Sequence, residues 1–211
     1  MCKSLVLVGL ILLAAVTVVA QDDFPKVETA PAFMYIRTPI SGQVRGQSFN
    51  QSFNCAGGGG TFAYNITSMF GLAADMGGCK IFGNTLGPVV GNTISGSQFT
   101  FLFGPRITFR SSSRFQPFFE VNFGGDHLSL SCNNAAACGN QSLGFTAFAM
   151  TAGGGFDIKL SKKFALRPIQ AEYLYTRFGN DCPLAACTQN NSQNSFRMKS
   201  GIVIGWGGSA K

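Results

Sequence analysis

The sequence is poor in charge and in the residues that build most metal sites. Of its 211 residues only 12% are charged, histidine and tryptophan each occur once, and no two cysteines form a CxxC pair. A zinc site of the common cysteine and histidine type therefore lacks ligands, and we predict no metal and no cofactor. Past residue 20 there is also no run of about eighteen apolar residues, which argues against a protein that crosses a membrane with helices.

Basic residues outnumber acidic residues, but they do not form a basic run. The formal net charge is +7, and the lysines and arginines are scattered along the chain. Proteins that bind nucleic acid concentrate their cations on one face or one helix. We therefore predict no nucleic-acid partner, and expect several of the cations to meet lipid phosphates.

The most informative stretch, residues 98–124, alternates apolar and polar residues. It reads QFTFLFGPRITFRSSSRFQPFFEVNFG, with a turn expected at residues 111–113. Alternation with a period of two predicts two paired strands that have one apolar and one polar face. The apolar set consists of Phe99, Phe101, Phe103, Ile107, Phe109, Phe115, Phe119, Val121 and Phe123.

Both strands of this hairpin suit a membrane better than a soluble sheet. Each is about eleven residues long, which is the length that crosses a bilayer when the strand is tilted. The apolar set is large and aromatic, as the lipid-facing band of a transmembrane barrel is. A soluble sandwich also alternates, but its strands are usually shorter. The polar face, which carries Arg106 and Glu120, must then point inward.

The same alternation predicts eight strands over the chain, joined alternately by long and short connections. Long external loops and short periplasmic turns are typical of an eight-stranded antiparallel up-and-down transmembrane β-barrel, and they place both termini in the periplasm. A soluble lipocalin-like barrel is the alternative, but it would have an apolar lumen and a polar outside. The predicted strands are 31–38, 57–66, 69–79, the two of 98–124, 143–160, 164–178 and 194–206, and the long loops are 39–56, 80–96, 127–142 and 179–193.

The first twenty residues predict a secretory signal peptide. Lys3 precedes an apolar segment from Leu5 to Val16, and small residues end at Ala20. This order is that of a cleaved signal, and it implies export. We expect residues 21–30 to form a periplasmic lead-in, residues 31–206 the barrel and residues 207–211 a short tail.

Six cysteines follow the signal, an even number that suggests disulfides in an exported protein. Cys55 and Cys79 are symmetric about Thr67, the centre of a predicted turn, so they would lie opposite each other on neighbouring strands. The remaining pairs are expected to be local, and they staple two external loops. They are Cys132–Cys138 and Cys182–Cys187.

The inward face predicts a balanced network of charges. A barrel of eight strands is just wide enough to be filled by its own side chains, and buried charges must pair or meet water. The turn places Arg106 near Glu120, whereas Arg167 and Arg177 have the parity of the outer face. The predicted inward charges are Asp75, Arg106, Glu120, Asp157, Lys159, Glu172, Arg197 and Lys199.

One pattern suggests an enzyme. His127 and Ser129 share a face near the outer rim, as in outer-membrane lipid A deacylases, but the nearest acidic residue, Asp126, has the opposite parity. Acyl transfer needs an acid that orients the histidine. We therefore predict no enzymatic activity and no catalytic residue.

The last predicted strand carries the most specific motif. Lys199 to Trp206 resembles the signal read by the barrel assembly machinery, with Gly201, Ile204 and Trp206 at its defining positions. The mature chain as a whole resembles the small eight-stranded outer-membrane β-barrel family, of the OmpA-like transmembrane domain type. The resemblance implies a monomer in a Gram-negative-type outer membrane, in contact with its lipid and lipopolysaccharide and inserted by that machinery.

Two functions follow as expectations. The first is a structural or surface-interaction protein with stapled external loops and a filled interior, whose external ligand the sequence does not identify. The second is a narrow, porin-like channel for small solutes. Interior charges that pair with one another favour the first.

Overall fold

A computed structural model shows eight antiparallel strands that close into one barrel in sequence order. It describes residues 24–44, 47–82, 94–110, 114–132, 142–178 and 192–207. Within these ranges, no helix has the length and apolar character needed to span a membrane. The strands are β1 (Val27–Val44), β2 (Gln47–Asn65), β3 (Phe70–Phe82), β4 (Ile94–Thr108), β5 (Phe115–Cys132), β6 (Ser142–Lys159), β7 (Phe164–Arg177) and β8 (Ser192–Trp206).

Two described turns define one end of the barrel, the turn end. The β2–β3 turn spans residues 66–69 and the β6–β7 turn spans residues 160–163. Thr67 Oγ1 accepts a hydrogen bond from Phe70 N at 2.8 Å, and Ser161 Oγ accepts one from Phe164 N at 3.1 Å. These side chains satisfy amides that have no ladder partner, so both predicted short turns are confirmed. The turn predicted at residues 111–113 lies outside the described residues.

At the opposite end, the far end, the prediction of a loop over residues 39–56 is wrong. Strand β1 stays paired with β2 to the contact between Val44 and Gln47, whereas its pairing with β8 ends at Arg37. Strands β5 and β6 likewise remain paired to Ser142 after the β6–β7 pairing has ended at Phe148. Two hairpins therefore project beyond the ring, and β4 accompanies the second as far as Ile94, which is opposite Cys132. The glutamine, asparagine and serine residues that suggested a loop form part of the first one.

The start of the barrel also differs from the prediction. Strand β1 begins at Val27, within residues 21–30, which were expected to be a lead-in. Val27 pairs with Tyr64 of β2 and with Trp206 of β8. Residues 27–30 therefore extend β1 to the turn end, where it pairs with the last residues of β2 and β8 and closes the barrel.

The alternating pattern separates an apolar outside from a polar inside, as predicted. Phe103 is 67% exposed on the outer face, whereas its neighbour Leu102 is 3% exposed in the interior. Phe33 lies on the outer face of β1, where it is 60% exposed. Apolar side chains that are exposed in this way match the lipid-facing band of a transmembrane barrel.

The prediction that Arg167 faces outward is wrong. The β7–β8 register shifts between Arg167 and Gln170, and the β6–β7 register shifts between Phe156 and Ile158. A bulge adds a residue to one strand and reverses the facing of what precedes it. Pro168 lies in the bulge, where its missing amide hydrogen costs no ladder bond. Arg167 is therefore buried inside the barrel, while Arg177 is exposed.

Candidate functional site

The barrel interior contains a buried cluster of charges at mid-height. Arg197 is fully buried and donates to Glu172 Oε2 at 2.7 Å, and its Nη1 lies 2.9 Å from Asp75 Oδ1. Lys199 Nζ contacts Asp75 and lies 3.5 Å from Glu172. Two cations thus face two carboxylates, and Thr61 adds a hydrogen bond to Asp75 at 2.9 Å. Strands β3, β7 and β8 are joined by this cluster across the lumen.

A second cluster lies closer to the turn end. Asp157 accepts hydrogen bonds from Arg167 Nε at 2.7 Å and from Arg167 Nη2 at 2.9 Å, a bidentate geometry. Arg106 donates to the same carboxylate at 3.2 Å. Both guanidinium groups also lie over the ring of Phe118, at 4.1 and 4.3 Å from its centroid. The ring supports two like charges by cation–π contacts.

Glu120 links the two clusters. Its Cα is opposite that of Arg106 in the β4–β5 register, in line with the expectation that these residues are neighbours. Glu120 accepts hydrogen bonds from Gln170 at 2.6 Å and from Asn122 at 3.2 Å. Lys159 stands apart from the network, since it is exposed at the turn end although it has inward parity.

Four charges in or at the edge of the lumen were not predicted. They are Glu28, Arg110, Asp126 and Arg167. Glu28 binds Arg110 at 2.5 Å and lies 3.6 Å from Arg106. Glu28 was missed because it lies in the segment that the sequence predicts to be a lead-in. Arg167 was missed because the bulge reverses the face that its parity predicts. Asp126 is fully buried and accepts a hydrogen bond from Gln98 at 2.6 Å. Its parity, which equals that of Glu120, was the signal that could have identified it.

Acidic side chains lie only inside the described part of the barrel, whereas cations lie both inside and outside. The six acidic residues that the structure describes are all buried in the interior. Arginines and lysines lie among them, and other cations are exposed at the two ends of the barrel. The outer surface of the described part therefore carries positive charge. The exposed cations are Lys26, Arg37, Lys80, Arg114, Lys159, Lys162, Lys163 and Arg177.

An apolar layer covers the charge clusters on the side of the far end. Met34, Ile36, Leu102, Ala149 and Leu174 pack there with two buried cysteines. Beyond this layer, Asp126 bonds to Gln98 and to Thr176, and Thr38 bonds to Ser195 at 2.7 Å. Charged, apolar and polar layers thus follow one another along the lumen.

The two buried cysteines form a disulfide, Cys55–Cys79, with a Cα–Cα distance of 5.5 Å. They were expected to lie directly opposite each other, but Cys55 is opposite Ile81 and Gly57 is opposite Cys79. The turn is centred one residue later than Thr67, so the bridge joins a diagonal pair. Of the other predicted disulfide cysteines, Cys138, Cys182 and Cys187 lie outside the described residues, and only the backbone of Cys132 is described.

The predicted assembly motif lies where β8 meets β1. Gly201 has room only for hydrogen, because a Cβ atom there would come within 2.1 Å of Pro31 O. Trp206 is 56% exposed on the outer face, and Ile204 lies on the same face. The motif residues thus occupy the closing pair of strands, and the only tryptophan lies at the turn end.

The histidine and serine of the enzyme hypothesis lie on the outer face. His127 is exposed, and its Nδ1 is 2.9 Å from Thr146 Oγ1. Asp126, the nearest acid in sequence, is buried on the opposite face of the same strand. A strand places successive side chains on opposite faces, so Asp126 cannot orient His127.

The network of charged side chains fills the lumen and joins strands on opposite sides of it. Each carboxylate of the two clusters faces at least one guanidinium or ammonium group, which offsets the cost of removing charge from water. In the part of the chain that the structure describes, no three histidine, cysteine or acidic side chains form a metal-binding group.

The chain is similar to several proteins of known structure. Neisserial surface protein A is 12% identical, with a TM-score of 0.56 over 85% of this chain and 97% of its own. Ail of Yersinia pestis is 11% identical, with a TM-score of 0.48 over 84% and 99%. OprG of Pseudomonas aeruginosa is 11% identical, with a TM-score of 0.45 over 86% and 96%.

At such identities the likeness to Neisserial surface protein A concerns the fold alone. No curated protein sequence matches the chain. The family described as "Outer membrane protein beta-barrel domain" matches residues 8–202, which is most of the chain. The chain therefore belongs to the outer membrane protein β-barrel domain family.

Proposed function

We propose that this protein is a closed outer-membrane barrel with a structural or surface-interaction role. The filled interior is the observation that carries this proposal. Arg106, Arg167 and Arg197 are each at most 1% exposed, although they lie in the lumen. A barrel of eight strands leaves little space beyond its own side chains.

A narrow channel for small solutes is the alternative, and the packing weighs against it. A solute would have to separate the ion pairs of Arg197 with Asp75 and Glu172 and then pass the apolar layer. Breaking a buried ion pair costs about 3–5 kcal/mol. A resting barrel should therefore be closed to ions.

The exposed position of His127 supports a function without catalysis. Acyl-transfer enzymes hold the base with a third group, and the acidic side chains that the structure describes all point into the lumen. His127 instead contacts Thr146. Lipid A deacylation therefore has little support from this arrangement.

The projecting hairpins support a role at the cell surface. The β1–β2 and β5–β6 pairs contain strands of 18 or 19 residues, well beyond the ~9–11 residues that cross a bilayer. In our proposal the far end is external and the turn end is periplasmic. The hairpins would then hold recognition surfaces away from the membrane.

The distribution of charge supports contact with outer-membrane lipid and lipopolysaccharide. Arg37, Lys80 and Arg177 are exposed near the far end, beyond the apolar band. Cations in this position can reach phosphates while their stems cover apolar surface. We further propose export by the signal peptide, insertion by the assembly machinery through β8, and a monomeric barrel.

Planar-bilayer recording tests the closed lumen. The purified, refolded protein should give no current steps in concentrated KCl, while a general porin in the same bilayer conducts. Heat-modifiable gel mobility of the same sample establishes that the barrel is folded. Reproducible steps from a folded sample would replace the proposal with the channel.

A further inference from the structure

A cavity opens at the turn end of the barrel, next to the second ion-pair cluster. Its volume is about 390 Å³, which is within the range of small-molecule sites. The wall combines the segment before β1, the β6–β7 turn and the last residues of β8. The proposed surface role at the far end does not use this cavity.

Basic side chains dominate the charge of this wall. Arg110, Lys159, Lys162 and Lys163 line the cavity together with two acids, Glu28 and Asp157. Both acids are already bound by arginines, at 2.5 Å from Arg110 to Glu28 and 2.7 Å from Arg167 to Asp157. The cations in excess are the three lysines.

These lysines have no ion-pair partner among the residues that the structure describes. In every salt bridge of the described part, the cation is either an arginine or Lys199. Arg110 has a side chain that is only 8% exposed, and its Nε has no hydrogen-bond partner within the same part of the chain. The cavity thus presents positive charge that the described part of the protein does not neutralise.

The same cavity has an apolar side that reaches the outer wall. Phe24, Pro25 and Val203 line it, and so does Phe164, which is 49% exposed on the outer face. The cavity therefore extends from the lumen to the rim of the barrel. A ligand could place a charged group among the lysines and an uncharged organic part against the rings.

We propose that this cavity binds a phosphate-bearing anion that carries a small organic group. Lysine ammonium groups bind phosphate as point charges, and several in one concave site reinforce one another. The phosphate could belong to a phospholipid headgroup of the adjacent leaflet or to a soluble phosphate ester. The chemistry of the site is the same for both sources.

The first experiment titrates the folded barrel, in a neutral detergent at about 0.1 M ionic strength, with sn-glycerol 3-phosphate. Binding is followed by backbone amide NMR shifts, which should saturate and centre on residues 159–164. The variant Lys159→Gln, Lys162→Gln, Lys163→Gln should weaken binding by about tenfold or more, because its charge-assisted contacts are lost. These lysines have no described ion pair, so gel mobility should show that the variant still folds.

A matched control removes three cations at the other end of the barrel. The variant Arg37→Gln, Lys80→Gln, Arg177→Gln has the same net charge as the lysine variant, but its changes are remote from the cavity. Its affinity should stay within about twofold of the wild type, since remote exposed charges are screened. Equal losses in both variants would show attraction by net charge and overturn the proposal.

Lipid nanodiscs distinguish the two sources of phosphate. If the headgroup is the ligand, discs that contain phosphatidylglycerol should shift the same amides and reduce binding of added glycerol phosphate, compared with discs of phosphatidylcholine. If the ligand is soluble, glycerol phosphate should bind equally in both discs. An absence of saturable shifts with the soluble probe and with both discs would overturn the site.

Discussion

Replacing Arg197 with methionine is the sharpest perturbation of the interior network. The side chain is fully buried and pairs with Glu172 at 2.7 Å and with Asp75 at 2.9 Å. It also donates to Thr100 Oγ1 at 3.2 Å. After Arg197→Met, Lys199 alone would face two buried carboxylates. Removing one partner of a buried pair costs about 3–5 kcal/mol, and we expect a loss of about 3 kcal/mol because Lys199 remains.

Urea unfolding of the barrel in lipid vesicles measures this loss. Trp206 is the only tryptophan, and its position at the turn end makes its fluorescence a natural signal. The control is Arg177→Met, which removes the same charge from an exposed position on the outer face. Its free energy of unfolding should change by no more than about 0.5 kcal/mol.

A second substitution tests the cause of the loss. In the Arg197→Met background, Glu172→Gln removes one uncompensated carboxylate and should restore part of the stability. In the wild type the same change breaks the pair with Arg197 and should destabilise the barrel. An Arg197→Met protein within about 1 kcal/mol of the wild type would contradict the cost of an unpaired buried charge. So would a double variant whose loss of stability equals the sum of the two single losses.

Two further perturbations test the bridge and the outer face. Changing both Cys55 and Cys79 to alanine opens a link across 24 residues and should cost about 3 kcal/mol, measured by urea unfolding; an unchanged midpoint would contradict this. Phe103→Arg should destabilise the barrel in vesicles by about 2–4 kcal/mol, whereas Ser97→Arg on the same face of β4, nearer the far end, should cost about 1 kcal/mol at most. Equal costs at the two positions would be inconsistent with a lipid-facing band around Phe103.

The sequence was sufficient wherever the alternation continued without interruption. Phe99, Phe101 and Phe103 lie on the outside and Arg106 on the inside because successive residues of a strand face opposite ways. The alternation of long and short connections predicted the number and order of the strands for a similar reason. These patterns are local in sequence and do not require knowledge of how the strands pair.

The features that depend on pairing could not be predicted. Arg167 faces inward because a bulge near Pro168 shifts the register, and parity alone cannot show a bulge. The diagonal position of the Cys55–Cys79 bridge likewise follows from the exact centre of a turn. A one-residue difference at a turn moves a cross-strand partner by two positions.

Composition suggests a loop where β1 and β2 are paired, whereas parity alone is sufficient to place Asp126 in β5. The polar residues of 39–56 are typical of loops, but partners across β1 and β2 keep that segment in a hairpin. The parity of Asp126 excludes it as a partner for His127. The same alternation that removed it from that role placed it in the lumen, where it is buried.

Labelling of intact cells tests the central claim most directly. A cysteine introduced as Ser48→Cys, in the projecting part of β2, should react with a membrane-impermeant maleimide on whole cells. Lys162→Cys, in the β6–β7 turn, should react only after the outer membrane is permeabilised. Wild-type protein gives the background from the native cysteines. Labelling of Lys162→Cys but not of Ser48→Cys on intact cells would contradict the proposed orientation, and labelling of neither would contradict display at the surface.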